Sequence, residues 1–328
     1  MAFGSVLRLA IALLLSALAG HSAANAATSL AEAVKQADGK YLGAPDVEWT
    51  NEAPTIEAGG GDNDAPTKPQ EISQGAVRVT LGYRQQRSDE DDELLSIPVV
   101  TVFAGGKEVA SFEGEDVGFA DPPVSVQIAE MDPGNAYPEV VVSFYTGGAH
   151  CCSDTNVLTA NADGSSWSTI DIGEFDGGPL LATDLDGDGR YEFATRDNAL
   201  LYAYACYACS EAPLQVIAIE NGAVKNVTED LRYRPAHASW LKQMIENIPE
   251  DDINGFLAGY VGEKTVLGEG KQAWELMLEY YDRTSDWGLT ACNVQLDDDG
   301  ECPGKEITLS FPDALEHMLK ENGYKLED

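Results

Sequence analysis

The sequence predicts an α+β protein with two main parts, a β-rich domain followed by a small all-α domain. Apolar and polar residues alternate between residues 75 and 229, and this period of two is typical of half-buried strands. Beyond residue 230 the apolar residues recur at helical spacing in segments 238–247, 251–262, 271–281 and 312–322. We therefore predict a β domain over residues 75–229 and an α-helical domain over residues 230–328.

The first 26 residues have the pattern of a secretory signal peptide. Arg8 precedes a short apolar run at residues 9–18, and Ala24-Asn25-Ala26 forms a small-x-small cleavage site. The run is too short to span a bilayer, and the sequence has no second apolar stretch of about 18 residues. We predict a periplasmic or secreted protein, with no membrane span after cleavage.

Two segments precede the β domain. Residues 27–42 are expected to contain a short helix, with Ser29 as its N-cap and Gly39 as its end. Residues 43–74 are rich in Pro, Gly and acidic residues, and they are expected to form a flexible linker.

The charge of the chain restricts its partners. It has 56 acidic and 20 basic residues, which give a formal net charge of −36. Such a surface repels phosphate groups, so we expect no nucleic-acid partner and no attachment to anionic lipid. The same surface favours cations and basic partners.

Two acidic loops lie 54 residues apart when Asp132 is matched to Asp186. Each lies between strand-like segments, and this period suits one four-stranded unit per repeat. Further strand-like segments follow the loops, at residues 140–145, 156–160, 199–205 and 214–220.

The second loop, at residues 184–192, has the composition of a Ca²⁺ site. A hard cation prefers about six to eight oxygen ligands, and carboxylates at alternate positions of a tight loop can all turn inward. An EF-hand needs a bidentate Glu at loop position twelve, but that position, counted from Asp184, is Thr195. The loop therefore belongs to a β-hairpin. Its predicted ligands are the side chains of Asp184, Asp186, Asp188 and Glu192 and the main-chain carbonyl of Arg190.

This loop resembles the calcium loop of FG-GAP/VCBS repeats, the blade unit of integrin-α-type β-propellers. The resemblance covers about residues 75–228 and implies that the loop binds Ca²⁺. The first loop departs from the pattern, because Pro133 and Asn135 replace Gly187 and Asp188. Two or three units are too few to close a propeller, so we expect either propeller-like blades or a sandwich. For the first loop, the resemblance implies only a weaker, degenerate site with three ligands: Glu130, Asp132 and Glu139.

The chain has six cysteines, and in an oxidising compartment an even number suggests disulfides. Cys292 and Cys302 flank one loop and are expected to pair. For the other four we expect bridges between two regions. Two alternatives remain open for this group, a thiolate-rich Zn²⁺ site that includes His150 and a redox pair. The four cysteines are Cys151 and Cys152 in one region and Cys206 and Cys209 in the other.

No nucleophile elbow, zinc-protease motif, P-loop or dinucleotide fingerprint occurs in the sequence. We expect an exported, non-enzymatic binding module with a structural Ca²⁺ ion and an unknown protein or glycan ligand. The alternative is a secreted hydrolase that acts on cell-wall or polysaccharide substrates through carboxylates. Such a hydrolase needs two carboxylates across an open cleft, at least one of them with a perturbed pKa.

Overall fold

The structure, a computed structural model, describes residues 28–47, 53–59, 68–87, 94–115, 117, 122–148, 152–176, 178–294, 297 and 301–326. The predicted signal peptide lies outside these residues, as do His150 and Cys151. In the part of the chain that is described, no helix combines the length and the apolar character that a membrane crossing requires.

Helix α1 (Leu30–Asp38) begins with a capping box. Ser29 Oγ accepts the Glu32 N–H, while the Glu32 carboxylate accepts the Ser29 N–H. Leu30 and Val34 are buried in the same hydrophobic core as the C-terminal helices. This N-terminal helix therefore packs against the C-terminal helices.

The β-rich part contains three antiparallel sheets within the described residues. One has the order β1 (Thr55–Ala58), β6 (Val124–Ala129), β7 (Glu139–Tyr145), β8 (Ser153–Ala160) and β9 (Trp167–Phe175). The second is formed by β2 (Gln70–Gln74), β3 (Val77–Arg87), β4 (Leu94–Ala104) and β5 (Lys107–Glu113). The third is formed by β10 (Ala182–Thr183), β11 (Glu192–Arg196), β12 (Leu214–Glu220) and β13 (Ala223–Asn226). Apart from β1, strands that follow one another in the sequence are neighbours in their sheet.

The segment predicted to be a flexible linker, residues 43–74, contributes two of these strands. β1 pairs with β6, which places Ile56 opposite Val126 and leaves Ile56 only 5% exposed. β2 pairs with β3. The prediction of a linker is wrong for both strands, because they are short and the pairing of β1 depends on a strand that is distant in the sequence.

The C-terminal part consists of α2 (Arg234–Glu246), α3 (Ile253–Val266), α4 (Gly270–Tyr280) and α5 (Phe311–Glu321). A short hairpin of β14 (Thr290–Cys292) and β15 (Glu306–Thr308) lies between α4 and α5. The predicted fold class, a β-rich part followed by a small helical part, is confirmed, with this hairpin as an addition. Helix α3 is the centre of the helical core, since every residue from 254 to 264 is buried.

Residues 199–205, predicted to be a strand, are irregular instead. Asp197 Oδ1 accepts the Ala199 N–H and caps a short 3-10 helix, Asn198–Leu200. Leu200 and Tyr204 then enter the core of the helical part. The apolar alternation there reflects packing against helices, and not a place in a sheet.

Candidate functional site

The Asp184 loop connects β10 to β11 and is folded around one carboxylate. Asp184 accepts the N–H groups of Gly187 (2.8 Å), Asp188 (3.1 Å) and Gly189 (3.0 Å). Gly187 and Gly189 have φ values of +77° and +85°, in the left-handed region that glycine adopts without a steric penalty. The spacing of Asp and Gly in this loop is therefore explained by the tight backbone turn that these residues form.

Three of the five predicted ligands come together. Carboxylate oxygens of Asp184, Asp186 and Asp188 all lie within 4.8 Å of one another. Oxygens that bind one Ca²⁺ ion at about 2.3–2.6 Å must have separations of this order. Like charges this close repel each other, and a divalent cation between them would relieve the repulsion. The separation of the three carboxylates is therefore that of a possible hard-cation site, in which Asp184 also accepts backbone N–H groups with both oxygens.

The other two predicted ligands are placed differently. The Glu192 carboxylate is 3% exposed and accepts hydrogen bonds from the Leu185 N–H (3.4 Å) and from Tyr233. Burial raises the pKa of Glu192 to about 7. Glu192 therefore braces the loop from inside and does not belong to the group of three carboxylates. The Arg190 N–H donates to Asp188 (2.9 Å), and a ligand role for the Arg190 carbonyl stays a prediction.

The first acidic loop, between β6 and β7, is held by hydrogen bonds from protein groups to Glu139. Glu139 Oε2 accepts the N–H groups of Met131 (2.9 Å) and Asp132 (3.1 Å), and Glu139 Oε1 accepts hydrogen bonds from Thr159 (2.9 Å) and Asn135. Burial raises the pKa of Glu139, while the hydrogen bonds from Met131, Asp132 and Thr159 oppose the shift. Neutral donors thus occupy both oxygens of this carboxylate.

Two other acidic groups belong to this first loop. Asp132 is also engaged by backbone groups, the N–H of Gly134 (3.0 Å) and that of Gly222 in the β12–β13 turn (2.8 Å). Burial and the neighbouring Asp132 raise the pKa of Glu130. Among the described residues, the carboxylates that lie close enough together to bind one metal ion are those of the Asp184 loop. The carboxylates of the first loop do not form such a group.

The two loops follow a common plan and touch each other. Glu139 and Glu192 each begin a strand and each accept an N–H from the loop before it. The Tyr191 N–H donates to the Glu130 carbonyl at 2.9 Å, which joins the loops directly. The Gln127 side chain adds two hydrogen bonds to the backbone of Ala182. Sequence reasoning did not identify Gln127, Thr159 or Tyr233, because each contributes from an element outside its loop.

A cavity of about 360 Å³ lies between the two loops and the start of the helical part. Asp132 and Glu192 are among its acidic lining residues, and Arg190 and Arg232 are its basic ones. The Arg232 guanidinium is 3.9 Å from Asp186. The Asp184 loop is therefore connected, through Arg232 and Tyr233, to the residues that lead into α2.

The disulfides differ in part from the prediction. Cys292 and Cys302 form the expected bridge and close the β14–β15 hairpin. Cys206 bonds to Cys209, with Cα atoms 5.0 Å apart in one turn, so the predicted bridges from these two to the other region are wrong. Cys152 is also disulfide-bonded. The zinc alternative fails for Cys206 and Cys209, since their sulfurs are bonded to each other.

Comparison with known proteins identifies the family. A family model described as the sll0997 C-terminal domain matches residues 237–323. The "Probable thylakoid lumen protein sll0997" of Synechocystis sp. is 40% identical over 275 residues, which cover 82% of this chain and 80% of that protein. The chain therefore belongs to the sll0997 family.

A second relative is much longer. The "Uncharacterized protein y4bJ" of Sinorhizobium fredii is 36% identical over 209 residues, which cover 61% of this chain and 32% of y4bJ. The chain thus matches about a third of that protein. No solved structure matches the chain.

The proposed kinship with FG-GAP/VCBS repeats is wrong, because the matches are to the sll0997 family. The resemblance was limited to a short Asp/Gly pattern. Such a pattern follows from the geometry of a tight acidic loop and can arise in unrelated families.

Proposed function

We propose that this chain is an exported calcium-binding protein in which the Asp184 loop holds a structural Ca²⁺ ion. The single observation that carries the proposal is the convergence of the Asp184, Asp186 and Asp188 carboxylates within 4.8 Å of one another. The ion would fix the β10–β11 hairpin and, through Arg232 beside Asp186, the start of the helical part. The loops so fixed would present a surface to a protein or glycan ligand.

Export is supported by two independent features. The name of the Synechocystis relative places that protein in the thylakoid lumen, a compartment that a protein must be exported to reach. Disulfides such as Cys206–Cys209 and Cys292–Cys302 form and persist in oxidising compartments. Extracellular-type Ca²⁺ sites bind at about 10⁻⁴–10⁻³ M, so occupancy would follow the ambient Ca²⁺ concentration.

The experiment compares melting temperatures in millimolar Ca²⁺ and in chelator. Asp186→Ala should remove the stabilisation that wild type gains from Ca²⁺. Asp163→Ala is the matched control, because Asp163 Oδ1 accepts the N–H two residues later at 2.9 Å, as Asp186 Oδ1 does at 3.1 Å. If wild type and Asp186→Ala gain equally from Ca²⁺, the ion does not bind in this loop.

The alternative function, a hydrolase, would use the cavity between the loops. That cavity is lined by three carboxylates, those of Asp132, Glu192 and Glu220, and burial raises the pKa of Glu192 to about 7. Asp132 accepts backbone N–H groups with both oxygens, and Glu192 accepts one from Leu185. This engagement favours a role in holding the loops over a role in proton transfer.

A further inference from the structure

A second chemical centre lies at the turn that carries Cys206 and Cys209. Their disulfide spans one short 3-10 turn, Tyr207–Cys209, at the start of the segment that leads to β12. Both cysteines are half-buried and Ala208 between them is exposed, so the bridge lies at the protein surface. Cys152, by contrast, is 6% exposed.

The turn is held in place by bonds other than the disulfide. The Cys209 N–H donates to the Cys206 carbonyl at 2.9 Å, and Ser210 Oγ donates to the same carbonyl at 2.9 Å. The Glu211 N–H then donates to the Gly255 carbonyl on α3 at 3.3 Å. Opening the bridge would therefore leave two thiols in one preformed turn, close enough to close again.

The turn also packs closely against helix α3. Gly255 lies in the first turn of α3, and a Cβ added there would meet the Cys209 carbonyl oxygen at 2.5 Å. A bridge across so short a loop removes little conformational entropy from the unfolded chain, so stability alone explains it poorly.

We propose that Cys206 and Cys209 form a thiol–disulfide exchange site that reacts with a protein dithiol or a protein disulfide. A partner thiolate attacks one sulfur, the Cys206–Cys209 bond breaks, and a mixed disulfide forms. The second thiolate of the partner then attacks the partner's own sulfur in the mixed disulfide. This forms a disulfide within the partner and releases the cysteine of this chain as a thiolate. Two electrons and two protons pass to the cysteine pair, and the reverse sequence reduces a partner disulfide.

The test uses the full chain and insulin as the disulfide substrate, with dithiothreitol as the reductant. The protein should accelerate insulin reduction several-fold over dithiothreitol alone. The variant Cys206→Ser/Cys209→Ser should lose the acceleration, while the matched control Cys292→Ser/Cys302→Ser should keep it. Near-ultraviolet circular dichroism checks that the first variant is folded, as the hydrogen bonds of the turn predict.

Two results would overturn the proposal. One is a wild-type rate equal to that of dithiothreitol alone. The other is an acceleration that the folded Cys206→Ser/Cys209→Ser variant retains in full. Neither result depends on Ca²⁺ binding, so this test is independent of the proposed function.

Discussion

His237 is a buried histidine whose two ring nitrogens both face hydrogen-bond acceptors. It is 1% exposed, its Nδ1 lies 2.8 Å from Glu263 Oε1, and its Nε2 lies 2.9 Å from the Thr228 carbonyl oxygen. Both partners are acceptors, so both ring nitrogens must donate a proton. Burial lowers the pKa of His237, and so does Arg234, but Glu263 and Thr228 raise it above its ordinary value.

This pair gives the protein a pH-dependent stability. Because the folded-state pKa is raised, the stabilisation is complete below the unfolded-state pKa of about 6.5 and is lost as the pH rises through the folded-state value. His237→Gln should cost about 3–5 kcal/mol at low pH, since it leaves Glu263 buried without a cation. Urea unfolding between about pH 6 and pH 9 measures the free energy of unfolding of both proteins. The difference between wild type and His237→Gln should become smaller as the pH rises.

The control for this prediction is His317→Gln, since the His317 side chain is 59% exposed and its partner Glu321 is 65% exposed. This variant should stay close to wild type throughout. A gap between wild type and His237→Gln that does not change with pH would mean that His237 is neutral in the folded protein.

Single residues were predictable from the sequence where their partners are local. The Asp184 cluster follows from the Asp and Gly spacing of one loop, and the backbone bonds to Asp184 all lie within five residues. The prediction of Glu139 as a ligand of the weaker site rests on the resemblance of its loop, which does not show that its donor Thr159 lies 20 residues away on another strand. The sequence does not show which donors will surround a buried carboxylate.

Helix α3 carries three glycines that let another segment approach it closely. The segment from Ala205 to Pro213 runs over Gly255, Gly259 and Gly262, and a Cβ at Gly259 would lie 2.3 Å from the Glu211 carbonyl group. The helical periodicity of α3 was visible in the sequence. The reason for its glycines was not, because the segment that they accommodate lies about 45 residues earlier in the chain.

Gly259→Ala should destabilise the protein by about 1–3 kcal/mol, because the backbone of Glu211 cannot move aside cheaply. An alanine in an exposed helix would instead stabilise by up to about 1 kcal/mol. Gly43→Ala is the matched control, since a Cβ there has no neighbour within 4 Å. Chemical unfolding measures both, and a neutral Gly259→Ala would show that the segment is less tightly packed than the structure indicates.

At the scale of the whole molecule, a buried ion pair fastens the N-terminal helix to the C-terminal part. Lys264 Nζ lies 2.5 Å from Asp38 Oδ1, and both residues are 1% exposed. Tyr260 also donates to Asp38, and Glu269 is a second partner of Lys264. Burial raises the pKa of Glu269, but Lys264 and Lys40 outweigh this effect and lower it to about 2.

Asp38→Leu should cost about 3–5 kcal/mol, because it leaves a buried ammonium group with one of its two carboxylate partners. The double variant Asp38→Leu/Lys264→Met should recover much of that loss, since it removes both charges. The unfolding free energies of Asp38→Leu, Lys264→Met and the double variant measure the coupling. Additive losses would contradict a direct interaction between α1 and α3.

The order of the parts, strands first and helices after, was predictable because it depends on local periodicity. The contacts that join them were not, since α1 and β1 find their partners far along the chain. The family could not be inferred from one loop, and the match to the Synechocystis protein over 275 residues corrects that inference.

The most direct test of the account is isothermal titration calorimetry of Ca²⁺ into the full chain, with Mg²⁺ as the reference for non-specific binding to an anionic surface of net charge −36. We predict one specific Ca²⁺ ion per chain, which Asp184→Asn/Asp188→Asn abolishes and Asp163→Ala preserves. Heats that are the same for Ca²⁺ and Mg²⁺, or a Ca²⁺ site that survives in the Asp184→Asn/Asp188→Asn variant, would contradict it.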